Sequence, residues 1–296
     1  MNTDVPTGNL ARIPTPEPGD PRLARLALNQ RTTASWTLPE AVRGCADAGI
    51  GTIGVWREPL AETGVQAAAR MIGDAGLRVS SLCRGGFFTS GDWLGENIAA
   101  LDEAAALDCP TLVLVPGGLP EGSRDLNGAR QRVAEAIAEL APHARARGVR
   151  LAIEPMHPIF AADRGVISTL AHALDLAEQH PPEVVGVVVD TFHLWWEPGV
   201  LAQIARAGER IACYQVSDWI TPLPPDALLG RGVVGDGHID FTALTRAVVA
   251  AGYRGPVEVE IFNAELWAAP GAQVLATCAR RHAELIAPHL PKGRST

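Results

Sequence analysis

The chain has 296 residues, 47% of them hydrophobic and 20% charged, with a formal net charge of −8. That is apolar material for one large core, and the acidic balance disfavours a nucleic-acid-binding face, which shows as clustered Lys and Arg. No apolar run approaches the roughly 20 residues needed to span a bilayer, and Met1–Asp20 lacks the charged-then-apolar layout of a signal peptide, so a cytoplasmic protein without a membrane partner is expected.

Residues 1–20, rich in Pro, Thr and Gly, are read as a flexible segment, 21–290 as one catalytic domain and 291–296 as a tail. In chain order, Leu23–Asn29 reads as the first strand, and Pro39–Ala48 as a helix opened near Thr37 and closed by Gly49. Gly51–Trp56 is strand two, followed by a helix over Thr63–Ala75 that stops at Gly76. Leu77–Cys83 is strand three. It runs into Cys83-Arg84-Gly85-Gly86, where backbone can approach a ligand closely, a weak phosphate-loop cue. A helix over Asp92–Asp108, the apolar strand Thr111–Val115 and a long helix over Asp125–Arg147 complete the first half.

The second half repeats this rhythm, with helices predicted over Ile167–Gln179, Val200–Ala207, Phe241–Ala251 and Ala272–Ala287. Its strands are Val149–Glu154, Val185–Asp190, Ile211–Gln215 and Val257–Glu260. Eight near-continuous apolar strands alternating with helices predict a (β/α)8 barrel of the α/β class. A doubly wound sheet usually shows fewer strands and a glycine-rich loop after the first; here Asn29-Gln30-Arg31-Thr32-Thr33 follows instead. The cysteines Cys45, Cys83, Cys109, Cys213 and Cys278 form no C-x-x-C pair, so buried reduced thiols are expected.

Parallel barrel strands deliver their C-terminal ends to one rim. Glu154, Asp190, Gln215 and Glu260 close four successive strands there, and three carboxylates with an amide oxygen make a hard cage suited to Mn²⁺ or Mg²⁺. Any one of these acids alone also reads as a cap or a salt-bridge partner; the ordered set points to a metal-dependent enzyme. Glu258 shares the strand face of Glu260 by the period of two, one layer deeper. His157 and His193 each lie three residues past a ligand, where an imidazole suits proton transfer or substrate contact. Asp218, Trp219 and Arg231 follow Gln215 on the same rim, with Trp196 nearby. An arginine there offers planar donors to a polyhydroxyl or anionic substrate, and the tryptophans offer flat faces to a sugar, with simple packing as the alternative.

The segments Ile153-Glu154-Pro155-Met156-His157-Pro158, Val189-Asp190-Thr191-Phe192-His193, Gln215-Val216-Ser217-Asp218-Trp219, Gly235-Asp236-Gly237 and Glu258-Val259-Glu260-Ile261-Phe262 carry a resemblance. In order and spacing they resemble the xylose isomerase-like TIM-barrel superfamily, with its sugar phosphate isomerases and epimerases, inosose dehydratase and, more distantly, endonuclease IV. The resemblance implies that Glu154, Asp190 and Glu260 are metal ligands and that His193 contacts substrate or metal. Gln215 departs from the family's usual histidine. It also implies a divalent metal, Mn²⁺ foremost with Mg²⁺ or Co²⁺ as alternatives, and a keto-sugar from which His157 or a carboxylate removes the proton beside the carbonyl.

The Glu-Pro-Met-His-Pro and Gln-Val-Ser-Asp-Trp segments further resemble the catalytic α subunit of bacterial C-glycoside deglycosidases, which cleave 3-oxo-C-glycosides by elimination. That branch implies a hetero-oligomer with a small β subunit, where the broader reading expects a homo-oligomer. A nuclease of the endonuclease IV kind would need more histidine ligands and a basic groove. A non-catalytic barrel serving as a partner subunit would not need the ligand set.

Overall fold

The computed structural model describes residues 14–89 and 91–291; the first 13 residues of the predicted N-terminal segment and residues 292–296 of the predicted tail lie outside them. The strands are β1 (Leu26–Asn29), β2 (Thr52–Trp56), β3 (Arg78–Gly86), β4 (Thr111–Val115), β5 (Arg150–Ile153), β6 (Val185–Asp190), β7 (Ile211–Val216), the two-residue β8 (Asp218–Trp219) and β9 (Arg231–Gly232), and β10 (Val257–Val259). β1 to β7 and β10 close into an eight-stranded barrel in which β10 pairs in parallel with both β7 and β1. β8 and β9 form a separate antiparallel ribbon beside its mouth.

Around the barrel run α1 (Leu38–Asp47), α2 (Arg57–Thr63), α3 (Val65–Asp74), α4 (Trp93–Ala106), α5 (Leu126–Arg147), α6 (Leu170–Ala177), the short α7 (Thr191–Leu194), α8 (Val200–Ala207), α9 (Phe241–Ala250), the short α10 (Ala264–Ala268) and α11 (Gly271–Arg281). Local chemistry sets their ends. Thr37 and Glu40 cap α1 reciprocally, satisfying two amides that the first turn leaves without partners, and Asp125 opens α5. Gly148 closes α5 in the left-handed region at φ 66°, which costs a residue without a Cβ little.

Several predicted boundaries move. The first strand begins at Leu26, because Asp20 caps a 3-10 turn over Pro21–Leu23. The helix predicted over Thr63–Ala75 is α3, starting at Val65, and an unpredicted helix, α2, precedes it; Gly64, whose φ of 83° no helix interior allows, separates the two. β3 runs on through Gly85 and Gly86, where a Cβ on Gly86 would strike the Val115 carbonyl, so the glycines extend the strand. The predicted last helix ends at Arg281 and gives way to a π turn over His282–Ile286.

Alternation along the strands separates two cores. Leu28, Ile53, Val55, Leu112, Leu114, Leu151, Val187 and Val259 point outward to the helices. Each fully buried aliphatic side chain of this kind stabilises by about 1.5–3 kcal/mol, so this layer carries most of the stability. Inside the barrel, Cys83, Val113, Ala152, Val188 and Cys213 are small, with Trp56 and Phe262 at the upper end. Small lumen residues leave room for a buried polar layer of Asn29, Ser81, Gln215 and Glu258. The five cysteines are free and buried, and burial pushes the Cys45, Cys109 and Cys278 thiols up to about 12.

Candidate active site

Glu154 stands one residue past β5, its amide still donating to the Leu114 carbonyl at 3.0 Å. Asp190 ends β6 and caps α7, accepting from the Phe192 amide at 2.8 Å. Gln215 in β7 is the register partner of both Asp190 and Glu258. Glu260, just past β10, is held by its amide to the Val216 carbonyl at 3.2 Å. All four predicted ligands are therefore at the C-terminal mouth and buried.

A buried arginine ties them together. Arg231, carried on β9 and 2% exposed, places Nη1 2.8 Å from Asp190 Oδ2 and 3.1 Å from Glu260 Oε2. Its Nη2 is 3.0 Å from Nε2 of His193, and that imidazole nitrogen lies 3.8 Å from Glu154 Oε1 and 3.9 Å from Asp190 Oδ2. Asn263 fixes the loop by donating to the Arg231 carbonyl at 2.9 Å. Burial, then repulsion from Glu260 and Asp190, pushes the Glu154 carboxyl well up. Burial also raises Glu260 to about 8, opposed by Arg231 and reinforced by Asp190 and Glu258. His193 is held neutral, mainly by burial and next by Arg231.

Below this floor lies a layer that sequence reading only partly located. Glu258 accepts from Asn29 Nδ2 at 2.7 Å, Ser81 Oγ at 2.9 Å, Gln215 Nε2 at 3.0 Å and also from Ser80. Gly54 makes this possible, since a Cβ there would press into the Glu258 carboxylate. Asn29 also donates to Glu260 at 3.0 Å and accepts from the Trp56 indole at 2.8 Å. Its signal was a lone amide ending strand one, which a cap or turn would equally have produced. With Nε2 turned to Glu258, the Gln215 amide oxygen is left buried with no hydrogen-bond partner among the described residues.

Four other predicted site residues are placed elsewhere. The Asp218 carboxylate accepts from the amides of Trp219, Gly235, Gly237 and Ile239, at 2.8–3.1 Å, and holds the β8–β9 loop. Trp219 is buried between Phe192, Trp195 and His157. Trp196 donates to the His193 carbonyl at 2.7 Å and packs edge-on against His157, so it supports the floor without facing the cavity. The His157 imidazole lies between these two indoles, and its Nδ1 accepts from the Ile159 amide at 3.2 Å. Burial lowers His157 to about 4, and only its backbone amide reaches the site, donating to His193 Nδ1 at 3.0 Å. The imidazole is thus not among the residues that line the cavity above the floor.

Above the floor opens a cavity of about 420 Å³, a volume suited to a small organic ligand. Glu154, His193, Arg231 and Glu260 line its base, while Trp56, Phe87, Phe262 and Trp267 form aromatic walls. Arg31, whose guanidinium lies 4.3 Å over Trp56, joins Arg84 and Arg164 in the same lining. A larger crevice of about 1160 Å³ opens at the opposite end, among Thr52, Arg78, Thr111 and Arg150 at the strand N-termini. In barrels of this kind that end serves stability, and the converging acids sit at the other.

A closed parallel barrel with a carboxylate floor at its C-terminal mouth is the architecture of a TIM-barrel enzyme. The family model for xylose isomerase-like TIM barrels matches residues 42–278, and the chain belongs to that family. A solved protein of Sinorhizobium meliloti 1021 is 44% identical with a TM-score of 0.86, the match covering 89% of this chain and 98% of that one. The 3-dehydroshikimate dehydratase of Pseudomonas aeruginosa is 28% identical over 257 residues, 80% of this chain and 38% of that protein. The L-ribulose 3-epimerase of Mesorhizobium japonicum is 28% identical over 136 residues, 46% of this chain and 41% of that enzyme. The chain thus spans about two fifths of the length of the dehydratase it matches.

Proposed function

We propose that the protein is a divalent-metal-dependent enzyme that removes the proton next to the carbonyl of a polyhydroxylated keto substrate, leading to isomerisation, epimerisation or loss of water. The observation that carries this reading is the unbalanced floor: Asp190 and Glu260 share a single buried arginine, Glu154 lies 3.8 Å from a neutral His193, and the Gln215 amide oxygen, on the strand between those of Asp190 and Glu260, is buried with no hydrogen-bond partner among the described residues. The donor set fits a hard cation. Its atoms are oxygens, its charge is in excess of what Arg231 neutralises, and an orphaned buried oxygen is costly unless something binds it. Glu154, Asp190, Glu260 and Gln215 would hold the ion, Mn²⁺ foremost, with Mg²⁺ or Co²⁺ as alternatives. When bound, it would supply a Lewis acid for the substrate's carbonyl and adjacent hydroxyl.

The chain's own groups do the rest. Glu154 lines the cavity and its carboxylate accepts no hydrogen bond among the described residues, so it is the group free to take the proton from carbon. Glu260, on the other side of the floor, is positioned to return a proton for epimerisation or to protonate a departing hydroxyl for dehydration. Charge developing on the carbonyl oxygen faces the Arg231 guanidinium, whose buried setting strengthens that interaction. The dehydratase and the epimerase relatives support the two outcomes of one shared first step. The test is to incubate Mn²⁺-loaded protein in heavy water with ketohexoses, keto-inositols, 3-dehydroshikimate and 3-oxo-glycosides. Deuterium should enter the carbon beside the carbonyl of one class, and excess chelator should stop it. Undiminished exchange in chelator would remove the metal from the reading, and no exchange with any class would overturn the reaction.

A further inference from the structure

The cavity is polarised. Its base is acidic, but its rim carries Arg31 from the 3-10 turn after β1, Arg84 near the end of β3 and Arg164 from the segment after β5. Three guanidinium groups around one opening repel one another: burial does most to lower the affinity of Arg84 for the proton, Glu58 opposes the shift in part, and Arg164 and Arg31 add to it. Acidic neighbours do not balance them. Glu58 lies 3.5 Å from Arg31 but is largely exposed, and Asp226 is an exposed cap of the Leu228 amide. Arg164 has a loose, exposed contact to Asp163 at 3.5 Å.

Arg84 has no hydrogen-bond or carboxylate partner among the described residues, and only the Phe87 ring lies under it, at 4.2 Å. The Nε of Arg31 is likewise buried without an acceptor. An arginine left half-buried and unpaired is costly to the fold. Arg84, unpaired, and Arg31, whose Nε is left over beside an exposed Glu58, converge on one cavity and make a built receptor for planar oxyanions, which guanidinium groups bind through paired hydrogen bonds.

We propose that the substrate carries an anionic oxyacid group, a carboxylate or a phosphate, which the Arg31, Arg84 and Arg164 rim binds while its keto and hydroxyl end points down to the carboxylate floor. The inference rests on the proposed reaction for the direction of the substrate, and on the rim alone for its charge. Arg231 at the base is already engaged by Asp190 and Glu260, whereas the rim arginines have charge to spare, so the rim orients the ligand. The base then meets only the carbon at the uncharged end.

The test is calorimetric binding, which needs no turnover. Quinate is compared with its neutral methyl ester, and glucose 6-phosphate with glucose, on the whole protein in chelator. At least one anion should bind about tenfold or more tightly than its neutral partner, the scale of a charge-assisted bidentate contact. The carboxylate pair and the phosphate pair distinguish the two sources. Arg84→Met or Arg164→Met should bring the affinity ratio of that pair toward one, and measuring both covers the case in which one variant folds poorly. Equal binding of each anion and its neutral partner by the parent protein would overturn the proposal, as would a preference that survives in both variants. Mn²⁺ titration separates the two readings: a lost anion preference with Mn²⁺ still bound condemns the rim alone, and a preference that stands without Mn²⁺ binding condemns the floor.

Discussion

At the scale of single residues, direction matters more than nearness in sequence. Glu154 and His157 are three residues apart, yet one carboxylate lines the cavity while the imidazole three residues on is wedged between Trp196 and Trp219. Glu154→Gln should lower turnover by about 10²–10⁴-fold, the scale of a lost general base. In chelator the same variant should unfold at a higher temperature than the parent, because a neutral amide relieves the repulsion that burial with Glu260 and Asp190 imposes. Kinetics and thermal unfolding of one preparation check both halves. His157→Gln should keep turnover within about tenfold of the parent, short of the loss expected for a base. A fall of about 10²-fold in solvent deuterium exchange would return the role to the imidazole. The carboxylate set was legible beforehand because strand ends in a parallel barrel converge whatever their loops do. The roles of His157, Asp218, Trp196 and Trp219 were not, because past the strand end the chain turns, and spacing then fixes distance along the backbone without fixing where a side chain points.

Among the elements, the small β8–β9 ribbon does the most with the least. It delivers Arg231 into the floor, and it hangs on Asp218, whose carboxylate collects four backbone amides. Asp218→Ala leaves those donors without a partner, at about 1–3 kcal/mol for each one that stays buried. The variant should lose activity through a displaced Arg231 while the barrel stays folded. Hydrogen exchange is the measurement: amides over 217–239 should lose protection and those of β4 and β5 should keep theirs. Unchanged protection in the ribbon would show that the hydrogen bonds to Asp218 are dispensable. The barrel itself was readable from the alternation of apolar strands and helices, since strands buried on both faces, such as Thr111–Val115, can hardly look otherwise. The helix α2 before Gly64, the extension of β3 through Gly86 and the π turn after Arg281 were not. Each depends on what the backbone meets in three dimensions.

Across the whole molecule, buried titratable groups pull stability in opposite directions with pH. His282 is fully buried and burial lowers it from 6.5 to about 3. The unfolded chain takes up a proton there below pH 6.5 and the folded chain does not, so this contribution is present above pH 6.5 and is lost as pH falls toward 3. The slope is about 1.4 kcal/mol per pH unit while one proton separates the states. Glu260, raised from 4.5 to about 8, acts the other way: the folded protein keeps its proton, and stability is lost as pH rises from 4.5 to 8 unless a cation binds. Urea unfolding in chelator should therefore weaken on both sides of mild acidity, and His282→Leu should flatten the acid side alone. An unchanged acid slope in that variant would assign it to other groups. The walls of the cavity have a further consequence. Trp56 and Trp267 face it with their indole N–H groups already engaged, at 2.8 Å to Asn29 and 2.7 Å to the Arg31 carbonyl. Their rings are thus fixed lamps beside the ligand's seat: occupancy should expel water from their faces and shift intrinsic emission to shorter wavelength, so that filling of the barrel mouth is visible by eye of the fluorimeter before any product is identified. Trp267→Phe should diminish that signal without touching the acids beneath it.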